Sequence, residues 1–348
     1  MIANRSTLAY FCLVAQCVLL SFCAVAEEGT IISFDPPGSR YTIPLSINNF
    51  GSITGYYFEN GGGTHGFLRA PDGNFTRIDV PGATATSACS INDAGWIAGY
   101  FLVNQVFHGF LRMPAGQFVI FDPPGSTETM PLSINRVGVV TGFYRDSNGT
   151  VHGFLRALDG TVISFDAPGS TFTTASSINS AGQITGYYAD SAQLYHGFVR
   201  AADGTLTIFD AQPGQNTEPA SINSAGEVTG TYGPDNNPGG FLRTADGVIT
   251  TFAPKWLADA DVVPFSINDA GVITGFYDNY FANVGILHGF IRRPDGAFVA
   301  FNITKSTRHI HKHPVEFIFP FSINSAGEIT GYYQANVWTT PHGFLRSP

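Results

Sequence analysis

The chain has 348 residues, little charge and almost no lysine. Charged residues make up 12% of the sequence, and lysine occurs only at Lys255, Lys305 and Lys312. Long amphipathic helices draw on Lys, Glu, Ala and Leu, whereas this chain favours Gly, Phe, Tyr, Thr, Ile and Ser, which are typical of strands and turns. The formal net charge of −9 argues against a nucleic-acid-binding surface, which needs clustered Lys and Arg.

The sequence also lacks the short motifs of common catalytic and metal sites. It contains no His-Glu-x-x-His, no Gly-x-Ser-x-Gly, no phosphate-binding loop and no EF-hand loop. Sialidase-type Asp-boxes and Trp-Asp dipeptides are missing as well. Sequence motifs therefore give no support to an enzymatic activity.

The N-terminal residues are predicted to form a secretory signal peptide. Arg5 supplies a short positive region, residues 8–25 are almost entirely apolar, and Ala24-Val25-Ala26 fits a small-x-small cleavage site. We therefore expect a secreted, extracellular or periplasmic protein whose mature chain begins at Glu27. The apolar stretch is marginal for a membrane-spanning helix, which needs about 20 residues, and the alternative is an uncleaved N-terminal anchor.

A sevenfold repeat organises the rest of the chain. The tripeptide Ser-Ile-Asn begins at Ser46, Ser90, Ser133, Ser177, Ser221, Ser266 and Ser322. A Gly stands three residues after each Asn, and a second Gly with two mostly aromatic residues follows a short apolar stretch. Next come His-Gly-Phe-Leu-Arg or a close variant, a second tight turn, and a strand that ends in Phe-Asp or a similar pair.

Each repeat predicts four strands joined by two tight hairpins. The Asn-x-x-Gly and Pro-Asp-Gly steps suit turns closed by a Gly with positive φ. Four strands in about 44 residues match one propeller blade. The prediction is an all-β, seven-bladed β-propeller of four-stranded blades, formed by residues 27–348 as one domain. A β-solenoid or a string of separate modules is the alternative.

The ends of the repeat region predict how the ring closes. The seventh repeat stops at Arg346 without a fourth strand, and residues 29–35 read Gly-Thr-Ile-Ile-Ser-Phe-Asp. That segment closely matches residues 160–166, which form the end of a repeat. The N-terminal strand is therefore predicted to complete the last blade, which would leave no exposed ring edge.

The repeated Ile-Asn-x-x-Gly-x-Ile-x-Gly followed by His-x-Phe resembles the HAF-type extracellular repeat family. The resemblance extends from Ile31 to Arg346, with His-Gly-Phe-Leu-Arg where that family typically has Ala for Gly and Trp for Arg. It implies an exported repeat protein with a propeller fold. The family offers no catalytic residues that could be assigned to positions of this chain.

Two residue types recur once in nearly every repeat. A histidine opens the third strand at His65, His108, His152, His196, His288 and His342. We expect each to form a structural hydrogen bond to the neighbouring backbone, because ligands on separate blades rarely converge on one metal. An arginine ends that strand at Arg69, Arg112, Arg156, Arg200, Arg243, Arg292 and Arg346. Each is expected to pair with a carboxylate such as Asp72 or Asp79, or with a carbonyl; a sevenfold anion-binding ring is the alternative.

Cysteine usage points to a reduced, inert thiol. Cys12, Cys17 and Cys23 lie in the predicted signal peptide, so only Cys89 remains and no intrachain disulfide can form. Cys89 occupies a repeat position that is mostly apolar elsewhere, which predicts burial rather than a nucleophile.

Binding sites are expected where loop lengths vary, around the sixth and seventh repeats. The candidate ligand-binding residues are Lys255, Trp256, Asp259, Asp261, Tyr280, Lys305 and Arg308. If the adjoining segment is extended, His309, His311 and His313 share one side and could hold a transition metal. Neutral drift in loop length and a solvated loop are the respective alternatives. No other cofactor is predicted.

These observations favour a secreted, non-catalytic binding propeller, monomeric and without a membrane span after cleavage, whose partner is a protein or a glycan. The alternative is an extracellular polysaccharide hydrolase or lyase on a propeller scaffold. A purely structural surface protein is a third possibility. Convergent carboxylates in the central pocket would favour the enzyme, and an aromatic-rich face would favour binding.

Overall fold

The computed structural model describes residues 29–234, 237–254, 260–278, 287–303, 317–334 and 339–348. These residues form 28 β-strands and no helix, which confirms the all-β prediction. Within the same ranges there is accordingly no helix of the length and hydrophobicity that crossing a membrane requires.

The strands follow the sequence repeat, four to a unit. The chain starts with β1 (Thr30–Phe34). The first unit has β2 (Ser39–Ile47), β3 (Ile53–Glu59), β4 (Thr64–Arg69) and β5 (Phe75–Ile78). The second has β6 (Ala85–Ile91), β7 (Ile97–Val103), β8 (Val106–Arg112) and β9 (Phe118–Phe121). The third has β10 (Ser126–Ile134), β11 (Val140–Asp146), β12 (Val151–Arg156) and β13 (Val162–Phe165).

The later units repeat the same order. The fourth has β14 (Phe172–Ile178), β15 (Ile184–Ala189), β16 (Tyr195–Arg200) and β17 (Leu206–Phe209). The fifth has β18 (Thr217–Ile222), β19 (Val228–Tyr232), β20 (Gly239–Arg243) and β21 (Ile249–Phe252). The sixth has β22 (Val262–Ile267), β23 (Ile273–Asp278), β24 (Leu287–Arg292) and β25 (Phe298–Phe301). The seventh has β26 (Phe317–Ile323), β27 (Ile329–Gln334) and β28 (His342–Ser347).

Each unit is an antiparallel meander in which consecutive strands pair, as β2, β3, β4 and β5 do. The predicted tight turns are confirmed. The Gly51 N–H donates to the Asn48 carbonyl at 3.0 Å with φ of 78°, and the Gly73 N–H donates to the Ala70 carbonyl at 2.9 Å with φ of 91°. Positive φ favours Gly because a Cβ would clash with the backbone. We call the end that carries both tight turns the turn face, and the opposite end the loop face.

The fourth strand of the seventh unit comes from the N-terminus. Strand β1 pairs antiparallel with β28, from Thr30 opposite Ser347 to Phe34 opposite Gly343. Phe34 is buried in a cluster with Ile47, Ile53, Phe67 and others of the first unit, together with Leu345 of the seventh. Residues from the two ends of the sequence therefore share one core.

The core lies between neighbouring units. The third strand of each unit places one fully buried phenylalanine there: Phe67, Phe110, Phe154, Phe198, Phe241, Phe290 and Phe344. Complete burial of such a ring stabilises the fold by about 1.5–3 kcal/mol relative to exposure. The Gly before it makes room for a second ring, since a Cβ on Gly153 would lie only 2.9 Å from the Phe165 side chain.

Six of the repeated arginines are buried and Arg112 is half-buried. Of the two partners predicted for Arg69, a carboxylate or a carbonyl, the structure shows the carbonyl. Arg69 is 6% exposed, stacks over the Phe34 ring at 4.9 Å, and donates from Nη1 to the Ala70 carbonyl at 3.4 Å, as the carbonyl alternative predicted. The corresponding stacks of Arg156, Arg200, Arg243, Arg292 and Arg346 fall on phenylalanines of the preceding units. Each of these six arginines therefore joins two units through a cation–π contact.

Candidate functional site

The asparagines of the Ser-Ile-Asn motifs link neighbouring units at the turn face. Asn135 is typical: its Oδ1 accepts from the Val137 and Val139 N–H groups of its own turn, and its Nδ2 donates to the Asn179 carbonyl at 3.2 Å. The same inter-unit bond starts from Asn48, Asn92, Asn179, Asn223, Asn268 and Asn324, at 3.0–3.1 Å. The bond from Asn324 ends on the Asn48 carbonyl, so this set of bonds returns to the first unit.

The serines of the same motifs form a second set of inter-unit bonds. The Ile91 N–H donates to the Ser46 Oγ at 3.3 Å, and the Ile47 N–H donates to the Ser322 Oγ at the same distance. Equivalent bonds reach the hydroxyls of Ser90, Ser133, Ser177, Ser221 and Ser266. The first strands of neighbouring units therefore lie side by side, and we call the line that they face the axis.

A cavity of about 220 Å³ opens on this axis at the turn face. Its wall consists of the Ile and Asn of each motif and the residue that follows. Asp93 accepts from the Asn49 backbone and side chain at 3.0 Å, and Asp269 accepts from the Ser224 N–H at 2.9 Å. Both carboxylates thus hold turns of neighbouring units together, which is a structural use.

Aromatic side chains converge on the axis between the serines and the loop face. We call five of them the aromatic wall: Phe265, Phe276, Phe319, Phe321 and Tyr332. Phe319 stacks on Tyr332 at 4.6 Å, and the rings of different units meet at 5.2 Å for Phe276 with Phe319 and 4.9 Å for Phe265 with Phe321. All five are half-buried, so the wall retains accessible ring surface.

Tyrosines extend the wall into the first two units. Burial raises the pKa of Tyr332 to about 12, and neighbouring Tyr56 adds to the shift. Burial likewise raises the pKa of Tyr100 to about 12, with further contributions from Cys89 and Tyr56. Tyr332 and Tyr100 therefore both lie close enough to Tyr56 for the phenols to affect one another's ionisation.

The fourth and fifth units carry smaller or polar residues at the matching positions. Thr174 and Glu218 stand where the seventh unit has Phe319, while Ser176 and Ala220 stand where it has Phe321. Tyr187 remains aromatic, and its pKa is raised to about 12 by burial and then by the Glu218 charge. The axial positions are therefore most aromatic in the sixth and seventh units, carry one tyrosine each in the first, second and fourth, and carry no aromatic ring in the fifth.

Cys89 lies among these residues and is half-buried rather than fully buried as the sequence predicted. Desolvation raises the pKa of its thiol to about 12, opposed by a weaker hydrogen bond with Ser87. The thiolate is the nucleophilic form of cysteine, and this shift suppresses it at neutral pH. The structure thus agrees with the predicted inert thiol.

The repeated histidines bind side chains rather than the backbone, which corrects the sequence prediction. Each Nδ1 lies 2.7–2.9 Å from a carboxylate or amide oxygen that follows the fourth strand of its unit. The pairs are His65–Asp79, His108–Asp122, His152–Asp166, His196–Asp210, His288–Asn302 and His342–Asp35. Their role is structural, as predicted, and the pairs lie near the loop face.

Further carboxylates lie at the same end of the molecule. Glu59, Asp146 and Asp190 approach the Nε2 atoms of the histidines in their units at 3.3–3.6 Å. Glu128 and Glu218 lie near the starts of their first strands, and Asp261 and Asp278 flank the loop-face ends of the sixth unit. The arginines in the described part of this end are Arg40, Arg77 and Arg145. Arg77 pairs with Asp79 and with Glu59, and Arg145 pairs with Glu128 at 3.1 Å.

The His342–Asp35 pair connects the N-terminal segment to the seventh unit and predicts a pH effect. The hydrogen bond that His342 donates to Asp35 raises the pKa of His342, opposed by desolvation. The folded state thus holds the imidazole proton more tightly than the unfolded state. Its stabilisation is complete below the ordinary histidine pKa of about 6.5 and is lost as the pH rises through the higher folded value.

We expect the substitution Asp35→Asn to reduce this effect while keeping a hydrogen bond, because His288 already pairs with Asn302 at 2.7 Å. Urea unfolding should show a larger stability difference between wild type and variant at about pH 5.5 than at about pH 9. Asp72→Asn on the turn face is the control and should show no such change. An equal difference at both pH values would contradict the assignment.

Nearly all sequence-predicted site residues lie outside the described residues. This applies to Lys255, Trp256, Asp259, Tyr280, Lys305 and Arg308, and to the proposed metal ligands His309, His311 and His313. Asp261 is described: it is half-buried before β22, and desolvation followed by the Asp278 charge raises its pKa. Within the described ranges, no three His, Cys, Asp or Glu side chains form a group that could hold a metal.

Sequence reasoning missed the aromatic wall and the asparagine bonds. Phe265 and Phe321 directly precede Ser-Ile-Asn motifs, and this was the available signal for the wall. The signal for the bonds was that Asn occupies the same position in all seven motifs, although the turn alone would accept other residues there.

Comparisons with known proteins identify a fold class. No family model and no curated protein matches the chain. Solved structures do: a streptogramin B lyase (TM-score 0.58, 14% identity, 92% of this chain and 98% of that one) and virginiamycin B lyase from Staphylococcus aureus (0.59, 14%, 92% and 100%). Puromycin hydrolase is similar over 86% of this chain and 52% of its own length (0.56, 12%).

The class is that of the β-propellers, built of repeated four-stranded blades. At such low identities the likeness concerns the fold alone.

Proposed function

We propose that this chain is a closed, seven-bladed propeller that acts as a binding module, with its ligand on the axial surface below the loop face. Closure is supported by the β1–β28 pairing and by the asparagine and serine bonds that run from the seventh unit to the first. The aromatic residues that converge on this axis carry the functional part of the proposal.

The axial surface has the composition of a ligand site. Such sites combine aromatic and apolar walls with a small number of polar groups. The aromatic wall supplies the first part, and Thr174, Ser176 and Glu218 supply the second. Half-buried rings that contact each other across units are ordered before a ligand arrives, which lowers the entropic cost of binding.

The partner is a protein or a glycan that meets the protein outside the cytoplasm. Export is supported by the signal-like N-terminus. It is also supported by the seven Ile-Asn-x-x-Gly motifs, which resemble those of the HAF-type extracellular repeats. An extracellular polysaccharide hydrolase or lyase is the alternative. The two carboxylates that line the turn-face cavity, Asp93 and Asp269, are used to hold neighbouring turns together, and this favours binding.

The test is a glycan and peptide binding screen on the mature chain, followed by the double variant Phe265→Ser/Phe321→Ala. The repeat itself offers these replacements, because Ser176 and Ala220 occupy the matching positions. We expect about a tenfold or greater loss of affinity, since central aromatic residues dominate binding energies. Ile163→Ala, an exposed outer-strand change, is the control and should bind normally.

Unchanged binding by the double variant would show that the ligand does not bind at the axis. Turnover of a polysaccharide during the screen would instead favour the enzymatic alternative.

A further inference from the structure

The charge of the protein is concentrated at one end. Among the described residues, the loop face carries the twelve carboxylates named above and only three arginines. The histidines are counted as neutral. At the turn face, the seven repeated arginines with Arg136 and Arg293 are matched by nine carboxylates of the tight turns. The formal charges therefore cancel at the turn face and leave an excess of nine negative charges at the loop face.

Segments outside the described ranges do not offset this excess. After residue 234 they contain four basic and three acidic residues in sequence. An uneven charge of this size creates a field that raises the local concentration of oppositely charged ligands. The loop face therefore favours the approach of cations and disfavours anionic polysaccharides.

The aromatic wall provides an independent attraction for the same kind of ligand. The first strands run from the loop face towards the serines, so Phe319 and Phe321 lie on the loop-face side of Ser322. The face of an aromatic ring carries negative partial charge and attracts cations within about 6 Å of its centre. A wall of five half-buried rings lies on the axis of the negatively charged end.

From these two observations, we propose that the aromatic wall binds an organic ammonium group, with the carboxylates of the loop face guiding it to the axis. This rests on the proposed binding function and specifies the chemistry of its ligand. The rings contact the alkyl surface of the group and stabilise its charge, while the ammonium needs no hydrogen bond from the protein.

The test compares two probes of the same shape, choline and 3,3-dimethylbutan-1-ol, by calorimetry on the mature chain. Choline has a quaternary nitrogen where the alcohol has a carbon, so the difference between their affinities reports the effect of the charge at constant size. We expect choline to bind about tenfold more tightly. Equal affinities, or no binding of choline, would overturn the proposal.

Two sets of variants test the two observations separately. Phe321→Leu/Tyr332→Leu keeps apolar contact but removes the ring quadrupoles, and it should abolish the preference for choline while retaining the thermal midpoint. The second variant removes four loop-face charges by changing four aspartates to Asn: Asp79, Asp122, Asp166 and Asp210. Each new Asn can pair with its histidine as Asn302 pairs with His288. At about 10 mM ionic strength, where screening is weak, choline affinity should fall about threefold.

The matched control removes the same number of charges from the turn face, with Asp72, Asp159, Asp203 and Asp246 changed to Asn. It should bind choline within about twofold of wild type at the same ionic strength. Equal losses in both fourfold variants would show that net charge rather than the loop face is responsible, and would overturn the guiding role. If the leucine variant keeps its preference for choline, the wall is not the site. The proposed function would stand if the serine/alanine variant still loses its screened ligand.

Discussion

A chain that begins at residue 36 is expected to unfold about 4–20 °C below the mature protein and over a broader temperature range. It loses the five-residue pairing of β1 with β28 and leaves β28 as an open sheet edge. It also loses Phe34, which is 7% exposed, and uncovers the Arg69 guanidinium that stacks on it. Burial of Phe34 and this cation–π contact together are worth about 2–5 kcal/mol.

The loss extends beyond these two contacts. Asp35 accepts a hydrogen bond from Thr42 of the first unit and pairs with His342 of the seventh, so its removal weakens one of the contacts between the first and seventh units. In a protein of this size each kcal/mol shifts the midpoint by about 2–4 °C. Differential scanning calorimetry measures both the midpoint and the width of the transition.

The control chain begins at Gly29 and keeps the whole strand. It should melt like the mature protein, and a synthetic peptide of residues 29–35 should partly restore the shorter chain. A truncated chain that melts at the same midpoint would show that the N-terminal strand does not hold the ends together.

The substitution Asn135→Ala is expected to destabilise the protein by about 3 kcal/mol. It removes the inter-unit bond to the Asn179 carbonyl and leaves the Val137 and Val139 N–H groups without their side-chain acceptor. Asn135 is 4% exposed, so solvent cannot easily replace these bonds. Each unsatisfied buried group costs about 1–3 kcal/mol, which makes this a large effect for the loss of one side chain.

Asn135→Asp separates the two functions of the side chain. It retains the acceptor for the turn but loses the donor, and it brings a negative charge near the Asn179 carbonyl. We expect it to be destabilising as well, whereas Arg136→Ala, whose side chain is 72% exposed, should change the free energy of unfolding by no more than about 0.5 kcal/mol. Urea unfolding at constant m-value measures all three. A neutral Asn135→Ala would mean that the inter-unit bonds contribute nothing to stability.

The functional residues were harder to predict than the fold. The aromatic residues directly before Ser-Ile-Asn resemble ordinary core residues, because the sequence of a single repeat does not show that they contact rings of other repeats. Phe265 and Phe321 lie 56 residues apart in sequence, yet their rings meet at 4.9 Å. Sequence reasoning instead selected the variable loops, and of those residues only Asp261 falls in the described part of the chain.

The histidine correction and the unpredicted arginine stacks have one physical cause. The sequence showed that both residues recur at the ends of a strand, and it assigned them the partners nearest in sequence. For His65 the actual partner, Asp79, lies on the adjoining strand of the same unit, and for Arg69 the ring of Phe34 lies in the neighbouring unit. A repeat shows which residues share an environment, but it does not show which surface covers them.

The sequence by itself determined the strands, the tight turns and the origin of the last strand. These depend on residues a few positions apart, such as the Asn48 carbonyl and the Gly51 N–H, or on direct similarity between residues 29–35 and 160–166. The tertiary structure alone decided what faces the axis and where charge accumulates. The bond from Asn324 to Asn48 spans 276 positions, and no local pattern encodes such a contact. It arises only when identical units pack side by side, because packing then places equivalent residues of every unit at one radius and at one end of the molecule.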